Sequence, residues 1–162
     1  MKRDMPVKTF KMEGLLKYVS GEDSQVLALC IIDIDYFKRY IDFHGQLEGN
    51  SCFEQVANCL GTAMGTHKGI LSYLSGDKFI CFLTDIEAED FVQFAENLRE
   101  SVENQNLKFC WQQHSFQVTI SVGGVHGLVS QFKDMAELIA LADEELHRAM
   151  STGRNNVKIK FK

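Results

Sequence analysis

The chain has 162 residues, 45% of them hydrophobic and 24% charged, and a formal net charge of −5 at pH 7. This length and composition predict one globular domain over residues 1–162, with a lead-in at 1–22 and a core at 23–162. The acidic balance argues against a nucleic-acid surface, since phosphate backbones are held by clustered Lys and Arg. No apolar run is long enough to span a bilayer, so we expect no membrane contact by this segment.

The hydrophobic pattern predicts strands and helices along the whole chain. Continuous apolar runs predict buried strands, and apolar residues three or four positions apart predict amphipathic helices. In chain order these are a helix at 10–19, a strand at 26–32, helices at 36–43 and 48–64, strands at 69–74 and 78–83, a helix at 91–102, strands at 107–111 and 116–122, a helix at 135–149 and an edge strand at 157–161. The order predicts an α/β (α+β) fold, with helices packed on a mixed central sheet around a βαββαβ palm.

The five cysteines all lie in apolar or periodic segments of the sequence. This placement is typical of reduced core residues and predicts a cytoplasmic location, either alone or as the cytosolic part of a larger, membrane-anchored sensor. None lies at the spacing of a zinc site.

Three carboxylates follow predicted strands. Alternation places Asp33 and Asp35 on the same side of the first strand, with Ile34 pointing away, and Asp77 lies in the hairpin turn. Carboxylates gathered over a buried core repel one another unless a cation neutralises them, and two or three oxygen ligands with open positions suit Mg²⁺. Alternatively, Asp33 caps the next helix and Asp77 suits a turn. Spacing alone leaves both interpretations open.

The helix that follows this strand begins at Tyr36-Phe37-Lys38. Its free N–H groups, together with Lys38, predict an anion site able to hold a polyphosphate. A solvated helix start with one exposed lysine accounts for the same residues.

Four segments of the sequence carry recognisable motifs: IDIDYFK at 32–38, LSGDKF at 74–79, VTISVG at 118–123 and ADEELHRAMSTGRN at 142–155. The first resembles the D-x-D-x-F-K opening of the GGDEF domain family of bacterial cyclic-dinucleotide signalling, and the second lies at the position of its Gly-Gly-Asp-Glu-Phe signature. The third resembles the V-T-x-S-x-G strand of that family, and the fourth resembles its closing segment. The matches run in order and with the family's spacing, although its usual N-terminal D-x-L-T-G-L-x-N-R segment has no counterpart. The resemblance implies the nucleotidyl-cyclase form of the palm fold.

Active members of this family are diguanylate cyclases, in which two facing domains each hold GTP and Mg²⁺ and condense the two GTP molecules to cyclic di-GMP. The resemblance implies metal contacts at Asp33, Ile34 and Asp77, and catalytic positions at Asp77 and Lys78. It also implies that Arg154 contacts the triphosphate, and it implies no organic cofactor.

Four departures from the family pattern affect its base, metal and phosphate contacts. Ile41 and Asn50 replace the guanine-binding Asn and Asp, Lys78 replaces the signature Glu, and Met150 replaces a phosphate-binding Lys. Ile cannot form hydrogen bonds, and an Asn amide accepts one guanine donor while opposing the other. An unpaired donor costs about 1–3 kcal/mol, so two damaged contacts would weaken guanine selection roughly a hundredfold. Lys78 reverses a charge beside the metal, or pairs with Asp33 or Asp77 in the metal's place.

These observations leave three hypotheses. The first is a degenerate, regulatory GGDEF domain that binds a nucleotide or a partner, as one part of a larger signalling protein, without cyclase activity. The second is an active or weak cyclase that uses Mg²⁺ and GTP or, with Ile41 and Asn50 in the base site, another nucleotide such as ATP. The third is a purely structural homodimerisation domain.

Overall fold

The computed structural model describes Gly14, Lys17 and residues 25–162. Apart from those two helical positions, the predicted helix at 10–19 lies outside the described residues. In chain order the elements are β1 (Val26–Ile34), α1 (Phe37–His44), α2 (Gln46–Met64), β2 (Gly69–Ser75), β3 (Lys78–Thr84), α3 (Ala88–Glu103), β4 (Lys108–Trp111), β5 (His114–Gln117), β6 (Ile120–Leu128), a 3₁₀ turn (Val129–Gln131), α4 (Met135–Ser151) and β7 (Val157–Phe161).

The main sheet has the strand order β2-β3-β1-β6-β7. Its central strand, β1, pairs antiparallel with β3 and β6, while β7 runs parallel to β6 at the edge. Because β1 is covered on both sides and both faces, eight of its nine residues are buried, which explains its continuous apolar run. The predicted mixed sheet and palm fold are confirmed.

Helices cover both faces of this sheet. Ala28, Cys30 and Ile32 of β1 belong to a core shared with α2 and α3, whereas Leu27 and Leu29 face a second core that contains α4. The alternation of strand side chains therefore divides β1 between two helical layers. Asp33 and Asp35 lie at the carboxyl end of this strand, and both are buried.

The predicted strand at 116–122 is wrong, because the chain divides there between two sheets. Gln112 and Gln113, with φ of 46° and 66°, turn β4 back into β5, and the pair forms a separate two-stranded ribbon. Phe116 of β5 stacks on Phe109 of β4, with ring centroids 5.4 Å apart. Residues from Ile120 onward instead pair with β1.

The expectation that all five cysteines are core residues fails at one position. Cys30, Cys52 and Cys81 are buried, but Cys110 is exposed on the β4–β5 ribbon. In β4 only Phe109 is buried, a difference between its two faces that residue type alone does not reveal. Among residues 25–162, no helix is long and apolar enough to cross a bilayer.

Candidate functional site

A cleft of about 700 Å³ lies beside α1, α2 and the β2–β3 hairpin. It brings together five residues that the sequence predicted for the site, namely Phe37, Lys38, Ile41, Asn50 and Asp77. Pockets of this size hold small organic ligands, with apolar walls and a few polar groups that fix orientation.

The remaining lining residues were not predicted: Asp42, Gln46, Phe53, Tyr73 and Gly76. A signal for two of them is present, because Asp42 lies four residues after Lys38 on α1 and Gln46 lies four residues before Asn50 on α2, so each shares a helical face with a predicted residue. Tyr73 gave no such signal, since its place in the cleft depends on how the hairpin packs against α2. Its ring lies 5.7 Å from that of Phe53.

Two carboxylates meet at the end of β1. Asp33 pairs in register with Lys78 of β3, and the N–H of Ile34 donates to the carbonyl of Asp77 at 3.2 Å, which ties the hairpin turn to β1. Asp33 is buried. Burial, the negative charge of Asp77 and a hydrogen bond with its carboxyl raise the pKa of Asp33 to about 7, against the opposing charge of Lys78. The surroundings therefore disfavour a negative charge on Asp33.

Within residues 25–162, no group of three His, Cys, Asp or Glu side chains is arranged to hold a metal ion. Mg²⁺ does not require such a group, because it is commonly held by one or two carboxylates together with substrate phosphates and water. Asp33 and Asp77 fit this kind of shared site, and a cation would stabilise the charged form of Asp33, which burial and the negative charge of Asp77 disfavour.

The third carboxylate has partners of its own. Asp35 is buried and accepts hydrogen bonds from the hydroxyls of Thr119 and Ser121 at 2.8 and 2.6 Å, and from the backbone N–H of Asn155 at 2.9 Å. Its oxygens therefore fix the start of β6 and the loop after α4. Asp35 acts as a structural acceptor, which the sequence could not distinguish from a metal ligand.

Tyr36 and Arg154 contact each other at one side of the site. The guanidinium carbon of Arg154 lies 4.6 Å from the centroid of the Tyr36 ring, and that of Arg39 lies 4.7 Å from it. The side chain of Asn155 holds the Arg154 loop by accepting from Arg99 at 3.0 Å and donating to Glu103 at 3.1 Å. The two predicted residues thus lie together, but outside the lining of the cleft as described.

The other predicted positions differ in their surroundings. Lys78 is half-buried, and among the described residues it forms no ion pair within 4.0 Å with Asp33 or Asp77, so the alternative ion pair is not present. The side chain of Ile34 is buried in the core, which leaves only its backbone to face a ligand. Met150 packs against the core beneath α4.

Comparison with known sequences gives a consistent match. A family model described as "Diguanylate cyclase, GGDEF domain" matches residues 10–156. "Probable diguanylate cyclase DgcF" of Escherichia coli (strain K12) is 30% identical over 158 residues, which cover 94% of this chain and 49% of that protein. "Diguanylate cyclase A" of Treponema denticola is 29% identical over 140 residues, which cover 86% of this chain and 37% of that protein. The chain thus spans about half the length, or less, of these curated relatives.

Solved structures share the fold. The active GGEEF domain of a diguanylate cyclase from Vibrio cholerae matches with a TM-score of 0.72 and 25% identity over 83% of each chain. The coiled coil and GGDEF domain of DgcB from Caulobacter crescentus, solved with c-di-GMP, matches with a TM-score of 0.74 and 22% identity over 84% of this chain and 70% of that one. With the family model covering most of the chain, these findings show that the chain belongs to the GGDEF domain family of cyclic-di-GMP signalling.

Proposed function

We propose that this chain is a degenerate GGDEF domain that binds a nucleotide as a regulatory module and does not synthesise cyclic di-GMP. The observation that carries the proposal is the lining of the cleft. The cleft has the volume for a nucleotide and ends at Asp77, yet Ile41 and Asn50 occupy the positions that the family resemblance assigns to guanine contacts.

The base end of the cleft lacks the two guanine contacts. Ile41 packs closely over Gly49, where an added Cβ would come within 2.6 Å of the Ile41 Cγ1. The Oδ1 of Asn50 already accepts a hydrogen bond from the Nε2 of Gln46 at 2.9 Å. A guanine placed here would leave donors unpaired, each at a cost of about 1–3 kcal/mol.

The phosphate end is also altered. Asp33, Asp77 and the backbone carbonyl of Ile34 would hold Mg²⁺, which when bound would neutralise phosphate charge. Lys78 puts a cation where the signature has a carboxylate, and the partly buried Met150 packs against the core where the family has a phosphate-binding Lys. Cyclase chemistry depends on positioning and charge neutralisation, so these changes act against turnover more than against binding.

The module would act within a longer protein. Residues 23–162 would form its core, and partner domains or a second copy of the chain would read whether the nucleotide is bound. The length of the relatives supports this organisation, because the chain matches only about half of them or less.

A second candidate function is a weak or base-altered nucleotide cyclase. It is favoured by the match to relatives named as diguanylate cyclases and by the retention of Asp33, Asp77 and Arg154.

The two candidates differ in product. The full chain would be incubated with Mg²⁺ or Mn²⁺ and with GTP or ATP, products would be followed by mass spectrometry, and nucleotide binding would be measured by calorimetry. The triple variant Ile41→Asn, Asn50→Asp, Lys78→Glu serves as the matched comparison. We expect the native chain to bind a nucleotide and to form no cyclic dinucleotide. Steady formation of a cyclic dinucleotide would instead support the second candidate, a weak or base-altered cyclase.

A further inference from the structure

The cleft contains a pair of side-chain amides that hydrogen-bond to each other. Gln46 and Asn50 lie four residues apart on α2, and both line the cleft. The Nε2 of Gln46 donates to the Oδ1 of Asn50 at 2.9 Å. Both residues are exposed, so the polar groups not used in this bond are accessible to a ligand.

The pair presents a fixed combination of hydrogen-bonding groups. Each amide has one carbonyl acceptor and one NH₂ donor group. Once the two are bonded, the Oε1 of Gln46 and the Nδ2 of Asn50 are left for a ligand. Turning both amides over reverses the bond but again leaves one carbonyl and one NH₂. In either arrangement the two ends that the bond does not use are a carbonyl of one residue and an NH₂ group of the other.

We infer that this amide pair makes the cleft selective for adenine nucleotides over guanine nucleotides, an inference that rests on the proposed nucleotide-binding function. The Watson–Crick edge of adenine has one donor, the 6-amino group, and one acceptor, N1, which complement the pair. Guanine adds the 2-amino donor beside N1–H. The two adjacent donors of guanine would then meet one carbonyl and one NH₂ group, and the donor that faces the NH₂ group stays unpaired, which strongly reduces binding.

The rest of the base end adds affinity without choosing between purines. Phe37, Ile41, Phe53 and Tyr73 give it apolar and aromatic walls. Every base has a π-face, so stacking on such walls tolerates any purine. Ile41 in particular provides no hydrogen bond for a third polar group on the base. Selection therefore falls to the polar residues that line the cleft.

The inference is tested by measuring Kd for ATP, GTP and ITP with Mg²⁺, using calorimetry on the full chain. We expect ATP to bind at least about tenfold more tightly than GTP. ITP, whose base lacks the 2-amino group and has one donor beside one acceptor, should bind with an affinity closer to that of ATP than to that of GTP. In Asn50→Asp a carboxylate can accept from both N1–H and the 2-amino group, so the preference should reverse toward GTP.

Asn58→Asp is the matched control, since it makes the same charge change on the same helix at an exposed position outside the cleft. It should keep the ATP preference. If Asn50→Asp keeps the ATP preference unchanged, the amide pair does not select the base.

Three further results would overturn the inference. If the native chain binds GTP as tightly as ATP or more tightly, nucleotide binding stands and the adenine preference is wrong. If a GTP preference disappears in Asp42→Asn, the cleft carboxylate Asp42 selects the base instead. If none of the three nucleotides binds, the proposed function itself fails, and the inference fails with it.

Discussion

The carboxylate of Asp35 accepts a hydrogen bond from the backbone N–H of Asn155, which lies 120 positions later in the chain, at 2.9 Å. The same carboxylate accepts from the hydroxyls of Thr119 and Ser121. One buried side chain thus joins the end of β1, the start of β6 and the loop that carries Arg154. This junction holds the side of the site where Tyr36 and Arg154 meet.

Asp35→Ala should therefore destabilise the fold strongly. Three hydrogen bonds to a buried charge are lost and two hydroxyls lose their partner, so we expect the free energy of unfolding to fall by about 3–5 kcal/mol. Urea denaturation monitored by circular dichroism measures the change. Glu144→Ala, at an exposed position on α4, is the control and should stay within about 0.5 kcal/mol of the native value. A loss below about 1 kcal/mol in Asp35→Ala would contradict the role of this junction.

The raised pKa of Asp33 makes stability depend on pH. The folded chain keeps a proton on Asp33 up to pH of about 7, whereas the unfolded chain releases it near its ordinary value of about 4. Between these values the folded state binds more protons, so the free energy of unfolding falls as the pH rises through this window. Below this pH window, Asp33 is protonated in both the folded and the unfolded chain and no longer lowers the free energy of unfolding.

Asp33→Asn removes this titration. We expect the variant to gain about 1–2 kcal/mol of stability over the native chain at pH 8, after allowance for solvent screening, and little at pH 4. Denaturation curves at the two pH values, recorded without divalent metal, measure the difference. An equal gain in stability at pH 8 and at pH 4 would show that the charged form of the Asp33 carboxyl does not destabilise the fold.

The sequence predicted the elements better than the site. A continuous apolar run is enough to identify β1 as a central strand, because only a strand covered on both faces is uniformly apolar. The sequence could not show where the chain leaves the β4–β5 ribbon for the main sheet, since Phe116 and Ile120 are both apolar. That division depends on the turn at Gln112-Gln113 and on tertiary pairing.

The chemistry of the site was predicted only in part. Motif spacing indicated Asp77, Lys38 and Asn50, which the cleft brings together. The hydrogen bonds of Asp35 and the amide pair of Gln46 and Asn50 depend on side-chain placement, which residue type and spacing do not determine.

Lys78→Glu should strengthen metal binding. Lys78 lies opposite Asp33 in the strand register, so a carboxylate there would add a third oxygen ligand and remove a positive charge. We expect the affinity for Mn²⁺ to rise roughly tenfold, before any gain in catalysis. Calorimetric titration with Mn²⁺ alone measures it, and Lys108→Glu, exposed on β4, controls for the change in net charge. An unchanged Mn²⁺ affinity in Lys78→Glu would show that Lys78 does not weaken metal binding.

Gly123→Ala should separate α4 from the sheet. A Cβ at this position would come within 2.1 Å of the backbone nitrogen of Leu146, which cannot move without the helix. We expect a loss of about 3 kcal/mol or more in the free energy of unfolding. Gly76→Ala is the comparison, because its φ of 56° is unfavourable but its Cβ would meet nothing within 4 Å, so it should cost only about 1 kcal/mol. Equal losses from the two variants would refute the close approach of α4.

We propose that this domain binds a nucleotide without making cyclic di-GMP. The most direct test is a mass-spectrometric time course of the full chain with saturating GTP and Mg²⁺. We expect no cyclic di-GMP above the protein-free control. Linear accumulation of cyclic di-GMP over many turnovers would contradict the proposed function.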